Sequence, residues 1–226
     1  MIHEETIAGR PCRLFGAERP TALLIQPSAR HENATLASEA AQIDGLTTIP
    51  FALATVELGD WIADLLPWPD ANISRDPAAG TRAQQTLQFV LEALVPALEA
   101  RFGALPLILG GYSLGGLFAL WASAQTDRFC AVAAASPSVW IRDWLPFARK
   151  HPPLADAVYL SLGEREEHVR NQAIARVGDC LRTQYALLQE QLGPDRCTLI
   201  QEPGNHFTDN EGRLARAFAW CLGRQG

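Results

Sequence analysis

The sequence predicts an α/β fold, with a mostly parallel central sheet covered by helices on both faces. Three observations carry this expectation. Short apolar runs of strand length recur along the 226 residues, at 21–26, 47–56, 105–109, 129–135, 158–162 and 196–201. Between them lie segments whose apolar residues repeat at i, i+3, i+4 and i+7, the stripe of a half-buried helix. Strands alternating with helices are what parallel pairing with crossover connections produces. The composition is 48% hydrophobic against 19% charged, which supplies enough apolar side chains to bury strands on both faces.

Each element has its own signal. Residues 2–8 and 11–15, broken by Gly9-Arg10-Pro11, suggest a first hairpin. TALLIQ at 21–26 reads as a strand ended by Pro27. Ala and Leu at helical spacing mark 33–43, and 47–56 reads as a strand with Pro50 near its start. The stretch 59–77 carries Trp61, Pro67, Trp68, Pro69 and Pro77 with little periodicity, as in a long ordered loop. Thr81-Arg82-Ala83-Gln84 matches a capping box, and Leu87, Val90, Leu91, Leu94 and Leu98 form an apolar face behind it. Pro96 inside that face predicts a kink or a tightened turn. The strand at 105–109 leads into a helix with Leu117, Leu120, Trp121 and Ala124 on one side. The strand at 129–135 is followed by SPSVW and then by loop and short helix over 141–156. The strand at 158–162 ends at Gly163. One long helix then carries Ile174, Val177, Leu181, Leu188 and Leu192, stopped by Gly193-Pro194. The last strand, 196–201, precedes a last helix from Asp209 with Leu214, Ala217, Phe218 and Cys221.

Bulk properties exclude several classes. A formal charge of −6 with scattered basic residues argues against nucleic acid and against an anionic membrane surface. No apolar run approaches the ~20 residues of a membrane span. The opening MIHEETIAGR lacks the pattern of a secretory leader. Cys12, Cys130, Cys180, Cys197 and Cys221 are odd in number, widely spaced and without a CxxC pair, as expected of thiols in a reducing cytoplasm. No His, Cys or carboxylate cluster has metal-ligand spacing, so neither metal nor cofactor is expected. There is no repeat, linker or low-complexity tract. The expectation is one domain over 1–226 without a large lid, as monomer or homodimer.

The chemistry concentrates in Gly111-Tyr112-Ser113-Leu114-Gly115, a G-x-S-x-G pattern with an apolar strand before it and a helix after it. Such a turn projects a serine hydroxyl from the sheet, and flanking glycines let strand and helix approach closely. The N–H of Leu114 opens the helix and faces outward, as an oxyanion donor must. A serine hydroxyl is a weak nucleophile at neutral pH, so a histidine must take its proton and a carboxylate must orient that histidine. In open parallel sheets such partners gather at the carboxyl ends of later strands. His206, in Gly-Asn-His after the last strand, is the expected base. His3 and His31 come too early, and His151 and His168 lie in segments expected to face solvent. Glu164, Glu166 and Glu167 follow the strand ending at Gly163 and compete as the acid. All three also suit the positive end of a helix, and spacing does not choose among them. A second oxyanion donor is expected after the strand ending at Gln26. Pro27 has no N–H, which leaves Ser28 or Ala29. Tyr112, Trp68 and Trp140 are candidate pocket walls, since ligand pockets favour aromatic linings.

These residues resemble a known group. GGYSLGGLFALWAS followed by FCAVAAASPSVW is similar to the esterase family of the α/β-hydrolase superfamily, which includes enterochelin esterases, S-formylglutathione hydrolases and some feruloyl esterases. SLGEREEHVRNQ resembles the Gly-x-x-acid segment of the enterochelin-esterase-like branch, and GNHF at 204–207 resembles its Gly-x-His loop. The resemblance covers roughly residues 80–226. It implies an α/β-hydrolase fold and places the acid at Glu166, three residues after Gly163, with Glu164 as the alternative. Where the family commonly has an Asp-Gly turn after an early strand, this chain has Gln26-Pro27. No N-terminal substrate-binding domain of the enterochelin-esterase kind is recognisable, so siderophore specificity is not carried over.

The expected function is hydrolysis of a small-molecule carboxylic ester through an acyl-enzyme on Ser113, with His206 as base, Glu166 as orienting acid and Leu114 and Ser28 as oxyanion donors. Two rivals share the scaffold: an acyltransferase using an alcohol acceptor, and an inactive binding protein.

Overall fold

The strands are β1 (Ile2–Ile7), β2 (Arg10–Gly16), β3 (Ala22–Ser28), β4 (Phe51–Glu57), β5 (Leu107–Tyr112), β6 (Ala131–Ala135), β7 (Ala157–Gly163) and β8 (Cys197–Glu202) in the computed structural model, which describes residues 2–224. They form one sheet in the order β1-β2-β4-β3-β5-β6-β7-β8. β1 and β2 pair antiparallel through a tight turn at Ala8 (φ 45°) and Gly9 (φ 84°), and β2 pairs antiparallel with β4. From β4 to β8 every pairing is parallel. Residues 1, 225 and 226, part of the expected 1–226 domain, lie outside the described residues.

The helices are α1 (Leu36–Leu46), α2 (Trp61–Leu65), α3 (Ala83–Phe89), α4 (Val95–Phe102), α5 (Leu114–Ser123), α6 (Trp144–Lys150), α7 (Gln172–Ala175), α8 (Val177–Leu192) and α9 (Asn210–Leu222). The central strands β3 to β7 are buried on both sides, and strand alternation sends successive residues to opposite cores. Leu23, Ile25, Leu109, Val132 and Leu160 face Leu87, Leu98, Leu117, Phe118, Leu181 and Leu188. Leu24, Leu53, Ile108 and Ala133 face Leu36 and Ile43 of α1 and Leu214 and Phe218 of α9.

Local departures from expectation have identifiable causes. β3 continues through Pro27 to Ser28 instead of stopping at Gln26. Its pairing with β5 ends at Ile25, so a proline there removes no ladder bond on that side. The stretch 59–77 contains α2, started by Asp60, whose Oδ1 accepts the N–H of Ile62 and of Ala63. The capping box at 81–84 does not form: Thr81 Oγ1 donates to the Ala78 carbonyl, and Arg82 precedes α3 with its guanidinium on Asp64 Oδ1 at 2.6 Å. Ahead of Pro96 the helix widens instead of tightening. Residues Val90–Leu94 form a π turn in which the Val95 N–H reaches the Val90 carbonyl. The long helix expected after β7 is divided at Arg176 into α7 and α8.

Candidate active site

β5 ends at Tyr112 and α5 starts at Leu114, so Ser113 alone makes the turn. Its φ of 57° and ψ of −114° lie where a non-glycine residue is strained. The surroundings over-determine it. Ser113 donates its N–H to the Ala135 carbonyl, and its own carbonyl accepts from Leu117 and Ser138. A Cβ on Gly111 would strike the backbone of Gly115, so glycine is what lets strand and helix close this tightly.

The loop after β8 returns His206 to this turn. Gly204 supplies a φ of 90°, and Asn205 Oδ1 accepts the Phe207 N–H at 2.9 Å. His206 Nε2 lies 3.1 Å from Ser113 Oγ, and Nδ1 lies 2.7 Å from Glu166 Oε2. With its proton on Nδ1 toward the carboxylate, the imidazole presents Nε2 as an acceptor to the serine hydroxyl. Ser138 Oγ is also 3.3 Å from Ser113 Oγ.

Glu166 sits under this line, 3% exposed. Its Oε1 accepts from Ser136 Oγ (2.7 Å), the Gly163 N–H (2.7 Å) and Arg213 Nη1 (2.8 Å). Burial pushes the carboxyl up, but hydrogen bonds from His206, Ser136 and the Gly163 backbone outweigh it and hold Glu166 below the usual carboxylate range. The two neighbouring glutamates are engaged elsewhere. Glu167 pairs with Arg182 at 3.0 Å, and Glu164 is exposed, with Oε1 3.4 Å from the Gly204 nitrogen. His3, His31, His151 and His168 are exposed, as expected.

Arg213 escaped the sequence reading. It is 0% exposed and reaches into the site from α9. Nη1 donates to Glu166, to Tyr112 Oη (3.1 Å) and to Ser136 Oγ (3.2 Å). Nη2 donates to the carbonyls of Pro203 (2.7 Å) and Asn205 (3.0 Å), on either side of Gly204 in the His206 loop. A signal existed: Arg213 lies four residues before Ala217, on the stripe that α9 buries.

On the other side of Ser113, the two candidate donors after β3 behave differently. Ser28 is fully buried within the strand, its Oγ bonds the Val56 carbonyl, and its own carbonyl accepts from Leu58. Its backbone therefore faces β4, away from the strand that carries Ser113. Ala29, the next residue, turns to the opposite side in extended backbone (φ −84°), and its N–H is held by Glu32 Oε2 at 2.7 Å.

A cavity of about 250 Å³ opens beside Ser113, with Trp140, Val169, Ile174, Val177 and Phe207 among its walls. Trp140 lies where the sequence suggested. Trp68 does not: its indole N–H donates to the Arg142 carbonyl and its ring stacks on Trp144, 6.1 Å between centroids. Those partners draw it to the α6 side, and it plays no part in the walls of this cavity. Tyr112 donates its hydroxyl to the His206 carbonyl at 2.9 Å, bracing the loop. Among the described residues no group of His, Cys, Asp and Glu could hold a metal ion, and no helix is long and apolar enough to cross a membrane.

An eight-stranded, mostly parallel sheet with a serine on the β5–α5 turn and a histidine loop after β8 defines the α/β-hydrolase class. Residues 28–196 match the Esterase family, described as "Putative esterase". The chain belongs to that family and is an esterase-type hydrolase. A search of curated proteins finds no match. Among solved structures, the siderophore hydrolase EstB from Aspergillus nidulans superposes with a TM-score of 0.73 at 17% identity, over 97% of this chain and 92% of that one. EstA from the same organism gives 0.71 at 18%, over 100% and 95%. The enterobactin esterase FES from Shigella flexneri gives 0.67 at 20%, over 99% of this chain and 59% of that one. These likenesses establish a shared fold.

Proposed function

We propose that the protein hydrolyses small carboxylic esters through an acyl-enzyme on Ser113. The observation that carries this is the hydrogen-bonded line from Ser113 Oγ through His206 to Glu166, with distances of 3.1 and 2.7 Å. Ser113 Oγ attacks the ester carbonyl carbon as its proton passes to His206 Nε2. Glu166 holds the imidazole with Nδ1–H toward the carboxylate and stabilises the imidazolium. The tetrahedral oxyanion is met by the Leu114 N–H at the start of α5 and by the Ala29 N–H, once substrate displaces the Glu32 carboxylate. His206 returns the proton to the departing alkoxide. A water, deprotonated by the same nitrogen, then adds to the acyl carbon; the bond to Ser113 Oγ breaks, Nε2 returns its proton to Oγ, and the acid leaves. The apolar walls of Trp140, Val169, Ile174, Val177 and Phe207 suit an apolar arm of the ester. Ser113→Ala tests the proposal: hydrolysis of short p-nitrophenyl esters and labelling by a fluorophosphonate are both lost while the circular dichroism spectrum stays unchanged. Full turnover in this variant overturns the mechanism.

A further inference from the structure

β6 ends in a tight turn, Ser136-Pro137-Ser138, packed against the start of α5. Ser136 takes a φ of 44°, a strained value for a residue with a side chain. Its N–H donates to the Ser161 carbonyl at 3.1 Å, and its hydroxyl donates to Glu166 at 2.7 Å. Pro137 lies so close to α5 that a Cβ on Gly116 would come within 3.2 Å of the Pro137 Cβ. Ser138 then donates its N–H to the Ser113 carbonyl at 3.1 Å. These anchors fix Ser138, itself 4% exposed, in the wall of the cavity beside Ser113, with the two hydroxyl oxygens 3.3 Å apart. Among the described residues, Ser113 Oγ is the hydrogen-bond partner of the Ser138 hydroxyl.

The direction of this bond follows from the protons available. Ser113 has one hydroxyl proton, and His206 Nε2 accepts it. Ser138 is therefore the donor and Ser113 Oγ the acceptor. We propose that Ser138 is a further catalytic residue, whose hydroxyl stabilises the charge on Ser113 Oγ when that oxygen is the leaving group. The inference rests on the proposed acyl-enzyme. Leu114 and Ala29 serve the carbonyl oxygen of the bound ester, and Ser138 serves the other oxygen of the same group.

The two halves of the reaction feel this donor differently. In deacylation, water adds to the acyl carbon and gives a proton to Nε2. The bond from that carbon to Oγ then breaks, its electron pair goes to Oγ, and Nε2 supplies the proton. Charge on Oγ is greatest as this bond breaks, and a hydrogen bond to a charged oxygen is shorter and stronger than one to a neutral hydroxyl. Ser138 keeps its own proton throughout. In acylation Oγ is the attacking atom, and a donor on it withdraws electron density without aiding attack. Ser138 thus speeds departure of the acid while leaving capture of the ester nearly unchanged.

Hydrolysis of p-nitrophenyl butyrate separates the halves. kcat/KM reads acylation, and rapid-quench mass spectrometry of butyryl-Ser113 in a single turnover reads deacylation. Ser138→Ala is expected to keep kcat/KM within ~3-fold of the parent value while butyryl-Ser113 decays about tenfold more slowly. A merely structural loosening slows both. Ser138→Thr and Ser138→Val share one shape and differ in the hydroxyl, so this pair holds packing constant. The threonine variant is expected to deacylate about tenfold faster than the valine variant at similar kcat/KM. Unchanged decay of butyryl-Ser113 in Ser138→Ala, equal slowing of both halves, or matched decay in the threonine and valine variants overturns the role of Ser138. A parent protein that neither takes a fluorophosphonate label nor hydrolyses the ester overturns the acyl-enzyme, and this role with it.

Discussion

Replacing Arg213 by methionine removes a guanidinium that makes contacts to Glu166, Tyr112, Ser136 and the carbonyls of Pro203 and Asn205. Methionine fills similar space but donates nothing. Glu166, 3% exposed, then keeps its charge without the cation 2.8 Å away. Breaking a buried ion pair from one side costs about 3–5 kcal/mol, and at this chain length each kcal/mol lowers the melting temperature by roughly 2–4 °C. Arg213→Met is therefore expected to melt roughly 6–20 °C below the parent protein. Activity suffers separately, because the His206 loop loses two anchors, and small displacements of reacting groups cost about 100-fold. The proton balance moves too. Loss of the adjacent positive charge raises the Glu166 pKa, so the carboxylate that orients His206 is protonated at a higher pH and activity at the acid end of the kcat/KM profile falls sooner. Arg213→Lys keeps the charge but not the fork, and should hold the acid limb near its original position while still loosening the loop. Differential scanning calorimetry and pH–rate profiles on a p-nitrophenyl ester read both effects. A variant that melts within ~2 °C of the parent, with a superimposable pH profile, would refute the reasoning.

Three further outcomes are expected. Gly111→Ala drives a Cβ into the Gly115 backbone, which cannot swing aside, and should cost about 3 kcal/mol or more by urea denaturation; a loss under ~1 kcal/mol counts against the tight turn. Glu39 stays neutral in the fold up to about pH 8 but ionises near 4.5 when unfolded. The unfolded state thus binds fewer protons in that window, and the contribution of Glu39 to stability falls as pH rises, by about 5 kcal/mol in all. Glu39→Gln should flatten that part of the curve, and parallel curves for variant and parent would contradict the assignment. Phe207 is 84% exposed yet lines the cavity beside Ser113, so Phe207→Ala should leave the melting temperature within ~2 °C while raising KM for longer acyl esters; an unchanged KM argues against this cavity as the ester's binding site.

The fold was legible because the central strands are short apolar runs and the helices between them carry apolar stripes. Both signals follow from burial, and burial is what composition along a chain records best. The β5–α5 turn was legible for a different reason. Gly111, Ser113 and Gly115 lie within five residues, and their chemistry is local. Arg213 was hidden because its partners are 8 to 101 residues away, and a charge on an amphipathic helix reads as surface until the loop it braces is in place. Trp68 misled for the same reason: an aromatic in a proline-rich stretch reads equally as pocket wall or as packing, and the Arg142 carbonyl decides it. Ser28 could be judged only once the strand was seen to run past Pro27, because one residue of extra strand reverses which way a backbone N–H points.

Arg213 also ties the site to the docking of one helix. Glu166 and the His206 loop share one cation, and it comes from α9, which packs against β5, β6 and β7. A chain in which α9 has not docked therefore carries Ser113 without a braced His206 loop. Return of turnover on refolding would then report docking of residues 210–222 rather than formation of the sheet.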